Sequence, residues 1–450
     1  MKHQRFPFVI LLSSFLAGCA AQRFNAAWKD YPVNALQYEM NNFDSERIVS
    51  NSENLINKGV LTLTAAIALA LEKNPSIAAY SQEVLAIESS AIQAGLYINP
   101  EIEFTVEDMG GTGEKKGFGS SESTLLISQT IDISGKPSKK SNVKEHERSI
   151  AILDYLGLKT EIVSEVKKRF YNLLATQEKR ALFLEQYEIA EEVLKAVSEK
   201  VVAGRAQQAE EYKAAIELQM NAVRLKQIEN DLAFNRMNLA YLWGGEPWES
   251  GDASGELEVM PSLPKLSELH EKAVMSSSLL RWKEEIAKWE SVKRLESAKK
   301  APEIKLAAGL KTYSATDDVG LIAGISFPIP LFDLNQGGIV EAEKRKKKAE
   351  SEYKAAQNMI FSEMEEAFWS LSSLFLEIQS LRENILPSAR KIFESVLESY
   401  KAGKSGYLDL LSAQKTFADI RIRYLDSLAI YHRIFADLER LTAVTGFSKE

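Results

Sequence analysis

The run Val319 to Lys346, VGLIAGISFPIPLFDLNQGGIVEAEKRK, decides how the chain is read. Val319, Leu321, Ala323, Ile325, Phe327, Ile329 and Leu331 alternate with Gly320, Gly324, Ser326, Pro328 and Pro330, the period-two pattern of a strand with one apolar face. After Phe332 the period changes within a few residues, and Ile339 onward reads as a charged helix with no breaker until past Ser370. A strand that feeds directly into a very long helix is unusual. It occurs a second time 198 residues earlier, where Ile127-Ser128-Gln129-Thr130-Ile131 matches Ile325-Ser326-Phe327-Pro328-Ile329.

Outward from these two junctions the chain divides into similar halves. In residues 61–243, Ile67, Ala70, Leu71, Ile77, Val84, Ile87, Ala91 and Ala94 predict a helix over 64–98 with one buried stripe, kinked at Asn74-Pro75 and ended by Asn99-Pro100. Ile102, Phe104 and Val106, then Leu125, Ile127, Ile131 and Ile133, predict a β-hairpin over 101–133 with an apolar and a polar face. Past Ser134-Gly135-Lys136-Pro137 a helical pattern continues for roughly 65 residues, or ~98 Å at 1.5 Å each. It turns at Ala203-Gly204-Arg205 and returns to Trp243.

Residues 244–264, rich in Gly and Pro, read as a linker. Residues 265–445 repeat the programme: helix 265–300, hairpin 303–332, a continuous helix 339–402, a turn at Ala402-Gly403-Lys404 and a return helix, followed by a tail over 446–450. Matching order, lengths and turns predict an internal duplication.

The N-terminus predicts export. Lys2 and Arg5 precede the apolar run Phe6 to Leu16, and Leu16-Ala17-Gly18-Cys19 closes a signal peptide over 1–18, too short for a spanning helix of roughly 20 apolar residues. Cys19 is the single cysteine, which excludes an internal disulfide, and it stands where bacterial lipoproteins are acylated. Residues 19–60 then read as a lipidated arm. Without Lys2 and Arg5 the chain keeps 53 basic against 63 acidic residues, a formal charge of −10 that disfavours nucleic acid.

Four amphipathic strands of about ten residues suit an outer-membrane bilayer, but four cannot close a barrel, and a lipid-facing edge leaves backbone donors unpaired. The pattern therefore predicts an oligomer. Three copies would give twelve strands and a lumen, and two would give eight; the long helices would extend the wall on one side of the membrane. The competing reading is a periplasmic coiled-coil scaffold with one soluble sheet.

The motifs that carry a family resemblance span nearly the whole mature length. They are Leu61-Thr62-Leu63-Thr64-Ala65-Ala66-Ile67 with Asn74-Pro75, Ala94-Gly95 with Asn99-Pro100, Ser128-Gln129-Thr130-Ile131, and Phe327-Pro328-Ile329-Pro330-Leu331-Phe332-Asp333 with Asn335-Gln336-Gly337. With these the chain resembles TolC-family outer-membrane efflux proteins, and its last motif is similar to the cobalt-zinc-cadmium branch. The resemblance implies a homotrimer, a transmembrane β-barrel continuous with an α-helical barrel, contact with outer-membrane lipid, a periplasmic adaptor protein and an inner-membrane RND-type pump. A duct for multidrug or type I secretion export is the alternative within the family.

The resemblance also implies a gate at the helix tips. Tyr400 and Asp409 stand three residues before and six after Gly403, as the constricting pair does in the family, and Glu210 takes the place of the aspartate after Gly204. Ser412 replaces a second acidic residue found in some relatives. Symmetry would bring like-charged carboxylates near an axis, where Arg205 or Lys404 would neutralise them. Gly204, Gly403, Ser405 and Gly406 are the expected adaptor-contact tips. Glu103, Glu107, Asp132, Lys305 and Lys311 are the expected lumen-facing charges near the outer mouth, with a merely solvated face as the plain alternative.

Nothing in the sequence reads as an enzyme. His3, His146, His270 and His432 pair with no Cys or His at ligand spacing, and no phosphate loop or nucleophile elbow is present. No cofactor or metal site is expected.

Overall fold

The computed structural model describes residues 60–245 and 252–442. The signal segment, Cys19, the arm to residue 59, residues 246–251 of the linker and the tail lie outside the described residues.

The central element is α3 (Lys136–Val202), 67 residues without a break and thus about 100 Å long. It packs against α1 (Leu63–Lys73), α2 (Pro75–Ala94), α4 (Gln208–Ala240), α6 (Ser277–Ala298) and α9 (Tyr407–Thr442). The seams are narrow. In α2 the buried residues are Ile77, Val84 and Ala91, spaced by seven, which is the period of a coiled-coil seam. Ion pairs flank the seam between α3 and α9: Lys168 bridges Glu165 at 2.6 Å and Asp437 at 2.8 Å, and Lys167 reaches Glu439 at 2.7 Å. Each such half-exposed pair contributes little on its own.

The sequence placed one kink correctly and missed its counterpart. Asn74 ends α1 and caps α2, its Oδ1 accepting from the Ser76 N–H at 2.9 Å, while its Nδ2 donates to the Leu242 carbonyl at 2.9 Å. The helix then stops at Ala94, before Asn99-Pro100, because Gly95 ends it. The expected single helix 265–300 is two, α5 (Leu266–Val274) and α6, broken at Met275-Ser276. That junction lacks the proline that marks Asn74-Pro75.

A four-stranded antiparallel sheet runs β2 (Glu101–Glu107), β3 (Glu122–Asp132), β5 (Glu303–Tyr313), β6 (Asp318–Ser326), so the two hairpins pair through β3 and β5. One face carries Ile102, Phe104, Leu125, Ile127, Leu306, Leu310, Leu321 and Ile325, all exposed, Leu321 at 87%. The hairpin expected over 303–332 ends at Ser326, where pairing with Lys305 stops. Pro328 and Pro330 lie just beyond, in the place where missing amide donors are tolerated.

The linker is less irregular than its composition suggests. Asp252–Ser254 forms β4, parallel to β1 (Val60–Thr62), and Ala253 and Leu257 join a core with Phe170, Leu173, Trp243 and Leu279. The parallel pair ties the start of the first half to the start of the second.

The second long helix runs unbroken from Gln336 to Lys401 but changes pitch partway. α7 (Gln336–Ser380) passes through a π-helical turn at Leu381–Ile385 into α8 (Leu386–Lys401). Pro387 has no amide donor and would clash with the carbonyl four residues back in a regular helix; the wider turn relieves this. Met364, Leu371 and Ile378 are buried at intervals of seven, and Phe393 and Tyr400 resume the same interval one residue out of step. One added residue is what a π turn contributes. Among the described residues no helix is long and apolar enough to cross a membrane.

Gly309 pairs with Leu126, and a Cβ there would meet the Leu125 carbonyl oxygen at 2.2 Å, whereas a Cβ on Gly324 would meet only the Ala307 Cβ at 3.9 Å. Gly309→Ala should therefore destabilise the folded protein by about 2 kcal/mol, and Gly324→Ala should be nearly neutral, measured as denaturant midpoints in detergent. Equal effects would refute the close approach.

Candidate functional site

Two helical hairpins, α3–α4 and α8–α9, end side by side in near-identical turns. Gly204 and Gly403 adopt φ of 68° and 72°, a left-handed conformation that favours glycine. In each turn the next residue closes a wide loop: the Arg205 N–H donates to the Lys200 carbonyl and the Lys404 N–H to the Ser399 carbonyl, both at 2.8 Å. The Arg205 and Lys404 residues are exposed at the tips.

Between the hairpins lies a small core of Val197, Ala214, Phe393, Tyr400, Tyr407, Leu410 and Phe417. Tyr400 is 5% exposed and Tyr407 3%. Their rings meet edge-on at 6.4 Å. Lys200 crosses from the other hairpin: its Nζ lies 3.6 Å from the Tyr400 ring centroid and donates to the Tyr400 carbonyl at 3.2 Å. A cation over an aromatic face is worth about 0.5–2 kcal/mol, most when shielded from water. The Tyr400 hydroxyl is buried with no hydrogen-bond partner among the described residues. The ammonium and the ring thus join hairpins from opposite halves of the sequence.

Asp409 lies in the first turn of α9 and accepts from the Gly406 N–H at 3.2 Å, so within one chain it caps the helix start. The Ser405 hydroxyl donates to the Val396 carbonyl at 3.4 Å. Burial raises the proton affinity of both tyrosines, and the charge of Glu210, in the first turn of α4, adds to it. Tyr400, Glu210 and Tyr407 are therefore brought together, while Asp409 is directed to its own turn. Lys200 and Tyr407 were not legible as partners: neither stands at a family spacing, and their meeting depends on α3 lying beside α8.

At the other end, Glu103, Glu107, Asp132, Lys305 and Lys311 all lie on the sheet face opposite the apolar one. They are paired with one another and with neighbours. Lys305 reaches Glu101 at 2.6 Å, and Lys311 sits between Glu107 at 3.1 Å and Glu122 at 2.5 Å. Asp132 accepts from the Lys136 N–H at 2.6 Å and the Ser134 hydroxyl at 2.8 Å, fastening β3 to α3. The histidines hold single partners: His146 faces Glu284 at 3.0 Å, His270 faces Glu365 at 3.1 Å, and His432 bonds the Leu257 carbonyl at 2.8 Å. Among the described residues no group of three or more His, Cys, Asp or Glu side chains is placed to hold a metal ion.

The sheet with one exposed apolar face and the helices that meet at paired tips belong to a chain whose residues 66–245 and 281–444 match the family model "Outer membrane efflux protein". The chain belongs to that family. This outer membrane efflux protein is 28% identical to the cobalt-zinc-cadmium resistance protein CzcC of Cupriavidus metallidurans, over 85% of this chain and 90% of the relative. It is 22% identical to the nickel-cobalt-cadmium resistance protein NccC of Alcaligenes xylosoxydans xylosoxydans, over 60% and 61%. The Campylobacter jejuni CmeC outer membrane channel superposes with a TM-score of 0.72 over 84% of this chain and 85% of that one, at 15% identity. The shared fold is mixed α and β, helix-rich, and of the TolC-family channel type.

Burial, then the charges of Glu217 and Glu210 and the neighbouring Tyr400, push the Tyr407 hydroxyl up to about 12. A tyrosine is neutral when protonated, so the folded tip holds its proton more tightly than the unfolded chain, whose tyrosines titrate near 10. The tip keeps full stability below pH 10 and loses it between pH 10 and 12. Tyr407→Phe should flatten this loss, read as the pH dependence of unfolding; Tyr424, also pushed up to about 12 by burial, leaves a residual slope.

Proposed function

We propose that this protein is the outer-membrane duct of a tripartite efflux system, passing heavy-metal cations from an inner-membrane RND-type pump and a periplasmic adaptor to the exterior. The observation that carries the reading is the four-stranded sheet: its apolar face is exposed, and β2 and β6 are edge strands, each with no strand on its outer side among the described residues. In a bilayer such edges must be paired, so neighbouring copies complete the barrel. A homotrimer supplies twelve strands around a lumen lined by Glu103, Glu107, Asp132, Lys305 and Lys311. The repeated element order supports an internal duplication. Lipidation at Cys19, outside the described residues, adds a second membrane attachment, since single anchors bind reversibly.

Metal cargo is favoured by the relatives, whose names specify cobalt, zinc, cadmium and nickel resistance. The duct itself needs no metal site; selectivity belongs to the pump. Its entrance is the paired tips, with Tyr400 and Asp409 as gate residues, Lys200, Lys404, Glu210 and Arg205 around them, and Gly204, Gly403, Ser405 and Gly406 as the surface the adaptor meets.

Disruption of the gene should sensitise cells to zinc, cadmium and cobalt and leave tolerance of dyes and detergents unchanged. The reverse pattern would replace metal export with multidrug export. Alanine at Tyr400 and Asp409 together should raise single-channel conductance in planar bilayers by loosening the Lys200 contact and the α9 cap. Unchanged conductance would sink the gate assignment.

A further inference from the structure

The two strand-to-helix junctions are built differently. From β3 to α3 the connection is Ile133-Ser134-Gly135, folded back on Asp132. From β6 to α7 it is nine residues, Phe327 to Asn335, outside the ladder. Wall continuity alone does not require the longer one.

Its composition is apolar and its side chains are uncovered. Phe327 is 52% exposed, Ile329 70%, Leu331 71%, Phe332 90% and Leu334 45%. Phe327, Ile329 and Leu331 continue the odd-numbered series of Val319, Leu321 and Ile325, the apolar face of the sheet.

The backbone is equally unusual. Pro328 and Pro330 have no N–H. The Leu331 N–H donates to the Ile329 carbonyl at 3.0 Å, the Leu334 N–H to the Gln336 side chain at 3.0 Å, and the Asn335 N–H to Asp333 Oδ1 at 2.8 Å. Most donors beyond Phe327 are therefore removed or satisfied locally, without a neighbouring strand. Irregular backbone is excluded from lipid because its polar groups go unpaired, and on the donor side this segment meets most of that objection, which suits the interfacial zone better than the hydrocarbon interior.

We propose that Phe327–Leu334 is an interfacial strap that inserts its side chains into the periplasm-facing leaflet of the outer membrane, with phospholipid as its occupant. The strap extends lipid contact past the end of the hydrogen-bonded wall. The inference rests on the membrane placement of the sheet and deepens it. Continuity with the apolar face favours lipid over a second copy of the chain.

The test attaches a nitroxide to single introduced cysteines in the full chain, reconstituted in phosphatidylethanolamine–phosphatidylglycerol vesicles. Collisions with oxygen, which partitions into lipid, are compared with collisions with a water-soluble nickel chelate. The sites are Leu321→Cys on the sheet, Phe332→Cys on the strap and Val202→Cys at the exposed helix tip, and the chain without an added cysteine gives the background. The oxygen-to-nickel ratio should be several-fold higher at Phe332 than at Val202 and highest at Leu321. If Leu321 is immersed while Phe332 matches Val202, the strap is in water and the inference fails. If Phe332 is shielded from both agents, a neighbouring copy covers it and the inference fails equally. An aqueous Leu321 would overturn the membrane reading itself. Leu331→Cys provides the same readout if the Phe332 variant does not fold.

Discussion

Every backbone donor and acceptor needs a partner, and in a membrane water is not one of them. That constraint governs this molecule more than any side-chain contact. Within the chain it is met by helices and by the β3–β5 pairing, which joins two hairpins nearly two hundred residues apart in sequence. Among the described residues the outer sides of β2 and β6 have no strand beside them, which is the need that the proposed ring of copies would meet. The same constraint explains Asp132 and Asn335, each placed where a strand gives way to a helix. Asp132 accepts from the amide of Lys136, and Asn335 donates its side-chain amide to the Glu296 carbonyl at 2.9 Å.

The helices answer to a different rule. In α2 and α7 the buried stripe is narrow and repeats every seven positions, whereas α3 and α9, which pack against several neighbours, are buried more widely. They stabilise one another along their length, and among the described residues the buried apolar side chains gather in two clusters, one around Phe170, where the linker docks, and one at the tips around Tyr400, with Leu386 and Ile420 packed against both.

Much of this was legible in the sequence, because strand alternation, heptad seams and tip glycines are local signals. Ile102, Phe104, Leu125 and Ile127 announce their face by alternation alone, and Gly204 and Gly403 announce their turns. What was not legible depends on contacts between distant segments. Asp252–Ser254 looks like linker because three residues carry no periodicity; it becomes a strand only because Val60–Thr62 lies beside it. The break at Ser276 has no proline to mark it. Of the candidate site, Tyr400 and its glycine could be placed by spacing, but Lys200 could not, since a lysine on a helix surface is ordinary until another hairpin arrives.

The π turn at Leu381–Ile385 has a consequence in helical phase. A regular helix advances 100° per residue, so the stripe of Met364, Leu371 and Ile378, carried on unbroken, would emerge at Ile385, which is 40% exposed. The inserted residue rotates everything below by that one step and directs Phe393 and Tyr400 inward. α7 packs against both α6 and α9, and below the turn α8 continues against α9, where Phe393 stacks on Phe417 and Tyr400 meets Tyr407. The angular setting of Tyr400 is therefore decided some fifteen residues away from it, at a point that touches neither hairpin tip.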